Sequence, residues 1–169
     1  MRGFTGVAAE VGHMTFVQDG APCGCGLKGC WEQYASGNAL LRIARERAAS
    51  RRTDAAILLS LGDGTPEGIQ GEHITAAAQK GCPVAIDAFN ELGDNLGRGM
   101  ASLSALLDPE IFIIGGGVSV AGDLLVKPAA AAFEQHLTAR KFRTLPKIVA
   151  ASMGNDAGLI GAADLARNI

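Results

Sequence analysis

The 169-residue sequence has little net charge and no long apolar run. Fifteen Lys and Arg stand against 17 Asp and Glu, a formal net charge of −2, which argues against a nucleic-acid or membrane-surface partner for this segment. No apolar run approaches the roughly 20 residues that a membrane span needs. Low-complexity segments and internal repeats are also missing. With 48% hydrophobic residues, the sequence predicts one domain with a sizeable core.

We expect no secretory leader, because Met1 is followed by the polar and glycine-rich run RGFTG rather than by an apolar core. We therefore expect a cytoplasmic location and reduced thiols. In that setting, clustered cysteine and histidine are more often metal ligands than disulfide partners. Cys23 and Cys25 are separated by one residue, too close to bridge comfortably, and three clustered thiols would leave one unpaired.

The stretch EVGHMTFVQDGAPCGCGLKGCWEQ, residues 10–33, holds His13 and three of the four cysteines. Glycines interleave Cys23, Cys25 and Cys30, so the backbone can fold this short run around one ion. The apolar run 14–17 is predicted to be a short strand that returns the chain from His13 to the loop. Three thiolates and one imidazole are a set that zinc accepts in closed structural sites. The alternative is three buried cysteines that pack as small hydrophobes.

Hydrophobic periodicity predicts several helices in the first two thirds of the chain. An amphipathic helix follows Ser36 or Asn38 as its cap, and the basic run Arg45 to Arg52 is interpreted as its solvated end. Residues 54–61 are ambiguous between helix and strand, a short helix covers 74–80, and a long core helix covers 83–107. Cys82, just before it, is interpreted as a core residue. Gly93, Gly97 and Gly99 cost about 1 kcal/mol each in helix propensity, which predicts close packing at these positions.

The last third predicts an α/β arrangement. Residues 111–114 form a continuously apolar strand of the kind that is buried on both faces of a parallel sheet. A helix is predicted to begin between Ser119 and Asp123, and a second helical stretch to cover 128–137. A further strand is expected over 147–152 and a small-residue helix over 155–166.

Two glycine-containing turns are candidates for phosphate binding. Gly115, Gly116 and Gly117 lie between a strand and a helix, where backbone can approach a ligand closely and a helix N-terminus favours an anion. The run is neither a dinucleotide fingerprint nor a P-loop, so a plain tight turn remains the alternative. Asp63, Gly64 and Thr65 are consecutive and lack the D-x-G-x-T spacing, so we interpret them as a surface turn.

The segment GVAAEVGHMTFVQDGAPCGCGLKGCWEQYASGNAL resembles the signature of the ROK family of bacterial sugar kinases and sugar-responsive repressors. In that signature a Glu stands three residues before a His, and C-x-C-G-x-x-G-C and another Glu follow. The resemblance continues through DPEIFIIGGGVS and DAGLIGAADLA, so it covers essentially the whole chain. Ala9 departs from it, because the family usually has Gly there.

This resemblance implies an actin-like ATPase, ribonuclease-H-like α/β fold, of which residues 1–169 would be a single partial domain, the C-terminal lobe. It implies a structural zinc ion on His13, Cys23, Cys25 and Cys30, and a hexose held partly by Glu10, His13 and Glu32, all within a loop over residues 10–35. It also implies an ATP-dependent glucokinase that uses MgATP, whose phosphates would lie against Gly115, Gly116 and Gly117.

Other features of such kinases are missing from this sequence. Neither D-x-G-x-T, nor a G-T-G turn, nor the aspartate that acts as general base is found, so the N-terminal lobe is expected to be absent. We therefore expect no catalytic residue in this chain, no activity of the chain alone, and self-association or pairing with a separate N-terminal half. The competing hypotheses are the effector-binding part of a ROK repressor and a non-catalytic, zinc-stabilised sugar-binding fragment.

Overall fold

Six α-helices, two β-strands and five short 3₁₀ helices make up the part of the chain that the structure, a computed structural model, describes: residues 3–167. The α-helices are α1 (Gly37–Ser50), α2 (Ala56–Leu61), α3 (Gly71–Gln79), α4 (Pro83–Leu107), α5 (Asp123–His136) and α6 (Ala157–Arg167). The strands are β1 (Ile111–Ile114) and β2 (Lys147–Ala150). The 3₁₀ helices are Val11–His13, Trp31–Gln33, Gly117–Ala121, Arg140–Phe142 and Gly154–Asp156. No helix within residues 3–167 combines the length and apolar character needed to cross a membrane.

Helices α1 and α4 confirm the predictions for the first two thirds of the chain. The Ser36 hydroxyl accepts a hydrogen bond from the Ala39 N–H at 3.2 Å, which makes Ser36 the N-cap of α1. Pro83 occupies the first turn of α4, where its missing N–H costs nothing. Cys82 caps that helix and is fully buried, as expected of a core residue. Helices α1, α2 and α3 pack around the first half of α4 and form the main core.

The arginines at the end of α1 are not simply solvated, as the sequence suggested. Arg51 donates to Asp87 on α4 at 2.6 Å, and Arg47 pairs with Glu91 one turn further along α4. The sequence could not show this, because the contact depends on how α1 and α4 cross. The basic run therefore joins two core helices.

Helices α4 and α5 pack with their backbones almost in contact. A Cβ atom on Gly93 would lie 2.7 Å from Pro128 Cβ, and one on Gly97 would lie 2.3 Å from the Ala129 carbonyl oxygen. The prediction of close packing at these glycines is confirmed. The predicted division of this region was wrong, because α5 is one continuous helix with Pro128 inside it. The proline is accommodated where its ring lies over Gly93.

Strands β1 and β2 pair in parallel, with Ile111 opposite Lys147 and Ile114 opposite Ala150. The parallel pairing was predicted, but burial on both faces was wrong: Ile113 is 64% exposed and only Ile114 is buried. One face packs on α5, where the Phe112 and Phe133 rings meet edge to face with centroids 5.7 Å apart. Within the described residues, no further strand covers the other side of this sheet.

Candidate metal centre and adjoining cleft

The cysteine loop is a hairpin held by backbone hydrogen bonds. The Cys23 N–H donates to the Leu27 carbonyl at 2.9 Å, and the Gly26 N–H donates back to the Cys23 carbonyl at 3.0 Å. Gly29 has a φ of +75°, and a Cβ atom there would lie 1.7 Å from the Val17 carbonyl oxygen, so only glycine fits. The predicted strand over 14–17 was wrong, because this segment makes only an isolated bridge between Thr15 and Cys30.

The hairpin brings all four predicted metal ligands together. One ligand atom from each of His13, Cys23, Cys25 and Cys30 lies within 4.8 Å of the other three. The Cys23 sulfur is 3.5 Å from His13 Nδ1, and the Cys25 and Cys30 sulfurs are 3.5 Å apart. Zinc bonds of about 2.3 Å to sulfur and 2.0–2.1 Å to nitrogen set ligand separations of roughly this size. The donor set therefore fits a tetrahedral zinc ion.

The thiols of the cluster differ in how readily they ionise. Burial raises the pKa of the Cys30 thiol to about 12. The Leu27 N–H, which points at the Cys25 sulfur, lowers the pKa of Cys25. A buried thiol that resists ionisation binds a cation only with release of its proton, so the cluster favours a metal more strongly as the pH rises.

The Glu32 carboxylate lies next to two residues of the cluster. Its Oε1 atom accepts from the Cys23 thiol at 3.0 Å and lies 3.7 Å from His13 Nδ1. The hydrogen bond from Cys23 lowers the pKa of Glu32 and keeps its carboxylate ionised. The carboxylate is thus positioned by two of the candidate metal ligands.

Glu10 is joined to this arrangement through its backbone. Its carbonyl accepts the His13 N–H at 3.0 Å, which starts the 3₁₀ helix Val11–His13, and its side chain is exposed. Ala9, where a glycine is usual, has a φ of +70°, in the left-handed region that glycine favours. The residues after Glu10 carry the chain to the cleft described next.

A cleft of about 1310 Å³ adjoins the metal centre. Gly12, Trp31 and Glu32 line it on the side of the cysteine loop, and Gly115, Gly116 and Gly117 line it on the side of β1. The structure therefore brings Glu32 and the glycine turn, 83 residues apart in sequence, into one cavity. Of the predicted sugar-site residues, Glu32 lines this cleft, whereas Glu10 and His13 are not among the described lining residues.

The glycine turn presents bare backbone to the cleft. Gly116 has a φ of +79°, which a residue with a side chain would adopt only under strain, and nothing lies within 4 Å of a Cβ position on Gly115 or Gly116. The Ser119 hydroxyl donates to the Gly116 carbonyl at 2.8 Å and fixes the turn ahead of α5. The turn therefore has both the shape and the room for close approach of a ligand.

The sequence did not identify the third wall of the cleft, which comes from α3. Glu72, Thr75, Ala76 and Gln79 face the cavity. Their spacing of three and four residues is that of one helix face, so the polar positions could have signalled it. The signal was lost because the helix begins at Gly71, three residues earlier than predicted.

The Asp63 turn takes no part in the cleft. Asp63 Oδ1 accepts hydrogen bonds from the Thr65 hydroxyl at 2.7 Å and from the Thr65 N–H at 2.9 Å. Both residues are exposed. The interpretation as a surface turn is confirmed.

Comparison with known proteins places this geometry in context. The profile described as the ROK family matches residues 1–169. A glucokinase of Streptomyces coelicolor is 53% identical over 166 residues, which cover 98% of this chain and 52% of that protein. The crystal structure of a ROK family glucokinase from Streptomyces griseus in complex with glucose and AMPPNP matches with a TM-score of 0.97 and 51% identity, over 100% of this chain and 54% of that one.

A xylose repressor of Caldicellulosiruptor bescii is also similar, at 31% identity over 160 residues, 95% of this chain and 39% of that protein. The chain thus spans about half the length of the glucokinases that it matches.

Proposed function

The chain belongs to the ROK family and has its sugar-kinase fold, of the actin-like ATPase class, and from this premise we propose that it is the C-terminal part of an ATP-dependent glucokinase. In the complete enzyme, the γ-phosphate of MgATP would pass to the 6-hydroxyl of glucose. The observation that carries the proposal is the single cleft that Glu32 lines on one side and Gly115, Gly116 and Gly117 on the other. Residues 1–169 then form one partial domain, and the N-terminal lobe is supplied by the rest of the enzyme.

We assign the metal centre to one structural zinc ion held by His13, Cys23, Cys25 and Cys30. Four protein ligands complete a tetrahedron and leave no open position, which is typical of structural rather than catalytic zinc. Binding of zinc to comparable peptides contributes about 10–16 kcal/mol. That is as much as the whole stability of a typical domain, so the ion would fix the loop over residues 10–35.

The sugar site is assigned to Glu32, with Glu10 and His13 contributing from the same loop. An ionised carboxylate accepts hydrogen bonds from sugar hydroxyls that are roughly twice as strong as neutral ones. His13 Nδ1 faces the cysteine cluster, which directs Nε2 away from it and toward a second partner. Glu32 Oε1 lies 3.0 Å from the Cys23 sulfur and 3.7 Å from His13 Nδ1, so the position of the carboxylate depends on the metal loop.

The nucleotide site is assigned to the glycine turn and to the polar face of α3. Backbone N–H groups at the turn can approach the phosphates of MgATP closely, because Gly115 and Gly116 carry no side chain and face open space. Phosphoryl transfer needs mainly positioning and electrostatic stabilisation, and a cleft shared by both substrates supplies the positioning. The general base that accepts the sugar proton would come from the N-terminal lobe, so this chain carries no catalytic residue of its own.

Glu32→Gln in the full-length enzyme tests the sugar assignment. Loss of a charged hydrogen-bond partner costs about 1.5–3 kcal/mol, so the KM for glucose should rise about tenfold to hundredfold while zinc content is unchanged. Glu46→Gln is a matched control, because Glu46 is an exposed carboxylate that pairs with Arg42 on the surface of α1. An unchanged KM in Glu32→Gln would contradict the assignment.

The second candidate function is the effector-binding part of a sugar-responsive repressor, which the similarity to a xylose repressor favours. The two functions differ in their need for nucleotide. A kinase fragment should bind AMPPNP at Gly116, and Gly116→Val should abolish this binding. A repressor fragment should bind sugar and show no nucleotide binding. The third hypothesis, a non-catalytic sugar-binding fragment, makes the same prediction as the repressor in this assay.

The exposed side of the β1–β2 sheet leads to a proposal about partners. Ile111, Ile113 and Val149 are 43%, 64% and 38% exposed on strands whose outer edge is unpaired in the described residues. An apolar strand edge invites pairing with another chain. We propose that the N-terminal half of the enzyme pairs with this edge, and that a second copy of this chain does so in its absence. We also propose a cytoplasmic location, where thiols such as these are kept reduced.

A further inference from the structure

Two of the four clustered thiols lie at contact distance and differ in accessibility. The Cys25 and Cys30 sulfurs are 3.5 Å apart, so an approach of about 1.5 Å would reach the length of a disulfide bond. Cys25 is exposed, whereas Cys30 is buried with 1% of its surface accessible. An oxidant from solvent therefore reaches Cys25 first and finds Cys30 directly behind it.

The hairpin allows Cys25 to make that approach. Cys25 lies between Gly24 and Gly26, and no heavy atom lies within 4 Å of a Cβ position on either glycine. Cys30, in contrast, is held by the bridge to Thr15 and by its neighbour Trp31. The Cys25 sulfur lies on an unconstrained turn and the Cys30 sulfur on a fixed segment. Formation of the disulfide therefore needs movement of the turn at Cys25 alone.

Cys23 is a poorer partner for either sulfur. Its backbone N–H and carbonyl are both used inside the hairpin, and its thiol donates to Glu32 at 3.0 Å. A bond from Cys23 to Cys25 would span a single intervening residue, which strains the disulfide geometry. Cys23 is also buried, so the arrangement favours Cys25 and Cys30, whose sulfurs are 3.5 Å apart and of which Cys25 is exposed.

We propose that Cys25 and Cys30 are an oxidative modification site, at which a hydroperoxide converts the two thiols to a disulfide and expels the zinc ion. The Cys25 sulfur attacks the peroxide, breaks the O–O bond and becomes a sulfenic acid as one molecule of water or alcohol leaves. The Cys30 sulfur then attacks the sulfenic sulfur and displaces the hydroxyl group as water. The two cysteines enter as zinc-bound thiolates, and solvent supplies the two protons that complete the leaving water or alcohol. Two thiolates, one hydroperoxide and two protons thus give one disulfide, and the two electrons pass to the peroxide oxygens. The proposal rests on the assigned zinc site and is independent of the kinase assignment.

Oxidation would also affect Glu32, which lies next to the metal ligands. Only His13 and Cys23 remain as donors once the other two sulfurs are joined, and two ligands do not hold a structural zinc ion. Both remaining ligands lie against Glu32, at 3.0 Å for the Cys23 sulfur and 3.7 Å for His13 Nδ1, so loss of the ion changes the charges that surround its carboxylate. The site would therefore couple peroxide to the electrostatic environment of the sugar-binding carboxylate, and a reductant with added zinc would restore it.

Tryptic digestion allows the disulfide to be detected directly. Trypsin cleaves after Lys28, which places Cys23 and Cys25 on the peptide of residues 3–28 and Cys30 on the peptide of residues 29–42. The zinc-loaded protein is treated with one equivalent of hydrogen peroxide, released zinc is measured with a colorimetric chelator, and the digest is analysed by mass spectrometry without reduction. We expect the two peptides to be cross-linked through Cys25, as tandem fragmentation will show, with one zinc ion released per cross-link.

Two variants sharpen the test. Cys82→Ser should behave as the unaltered protein, because Cys82 is buried at the start of α4 and donates to the Asp54 carbonyl at 3.3 Å, away from the cluster. Cys25→Ser should show no cross-link between the two peptides, whether or not it retains zinc. A disulfide inside the 3–28 peptide, a cross-link through Cys23, or zinc retention after oxidation of Cys25 alone would each overturn the proposal. If the protein contains no zinc as purified and still forms the cross-link, the missing zinc refutes the zinc assignment, and the cross-link supports the pairing of the two thiols.

Discussion

The contact between Gly99 and Trp31 makes a substitution from glycine to alanine destabilising in a helix where alanine is normally preferred. The Trp31 indole lies against α4 and donates from Nε1 to the Asn95 carbonyl at 2.9 Å. A Cβ atom on Gly99 would lie 2.0 Å from Trp31 Cε2, whereas carbon atoms in contact are normally about 3.5–4.0 Å apart. Gly99→Ala must therefore push the indole out of its place.

The change in the free energy of unfolding follows from two destabilising effects and one stabilising effect. Overpacking of a core costs about 1–3 kcal/mol, and loss of the indole hydrogen bond costs about 0.5–1.5 kcal/mol. The better helix propensity of alanine returns about 1 kcal/mol. We expect Gly99→Ala to lower the free energy of unfolding by about 0.5–3.5 kcal/mol. Because Trp31 directly follows Cys30, a proposed zinc ligand, zinc affinity should fall in the same variant.

Urea unfolding followed by fluorescence measures this effect, since Trp31 is the only tryptophan of the chain. The matched control is Gly161→Ala on α6, where nothing lies within 4 Å of the new Cβ atom. That variant should gain up to about 1 kcal/mol from helix propensity alone. The same substitution should thus have opposite signs at the two sites, and a Gly99→Ala variant as stable as the unaltered protein would refute the packing argument.

Three further predictions concern the metal, the Asp63 turn and the open sheet edge. Elemental analysis should find one zinc per chain, absent in Cys30→Ser and retained in Cys82→Ser; zinc-free protein purified without chelator would contradict the assignment. The Thr65 hydroxyl and N–H lower the pKa of Asp63, so their stabilisation exists above the unfolded-state value of about 4 and is lost as the pH falls through the folded one. Asp63→Asn should therefore cost stability at neutral pH and less at low pH, measured by urea unfolding at both. Light scattering should show self-association of the chain alone, reduced by Ile113→Lys; a monomeric unaltered chain would refute the edge argument.

The sequence predicted those parts of the molecule in which local signals are strong. Helix α4 has the bounds expected from its periodicity, because Pro83 starts it and Asp108, with a left-handed φ of +43°, ends it. The convergence of the candidate metal ligands also follows from local spacing, since the C-x-C-x₄-C run forms its hairpin with backbone bonds of its own. Only His13 had to be brought from outside that run.

The errors have a common physical cause, which is packing between segments distant in sequence. Pro128 normally predicts a helix end, but α5 continues through it because the ring rests on Gly93 of another helix. Residues 14–17 have strand-like composition, yet their hydrogen bonds go to the loop around Cys30 and Gly29. The cleft face of α3 was missed because the sequence does not distinguish a polar helix face that lines a cavity from one that faces solvent.

The near contact of α4 and α5 limits how this part of the chain can move. Pro128 rests on Gly93, and the Ala129 carbonyl lies over Gly97, about one helical turn further along. A slide of α5 by one turn toward the start of α4 would set the proline ring against Phe89, which is large and buried. A slide of one helical turn is therefore sterically blocked for this pair. We therefore expect any larger motion of this region to carry α4 and α5 together as one rigid body.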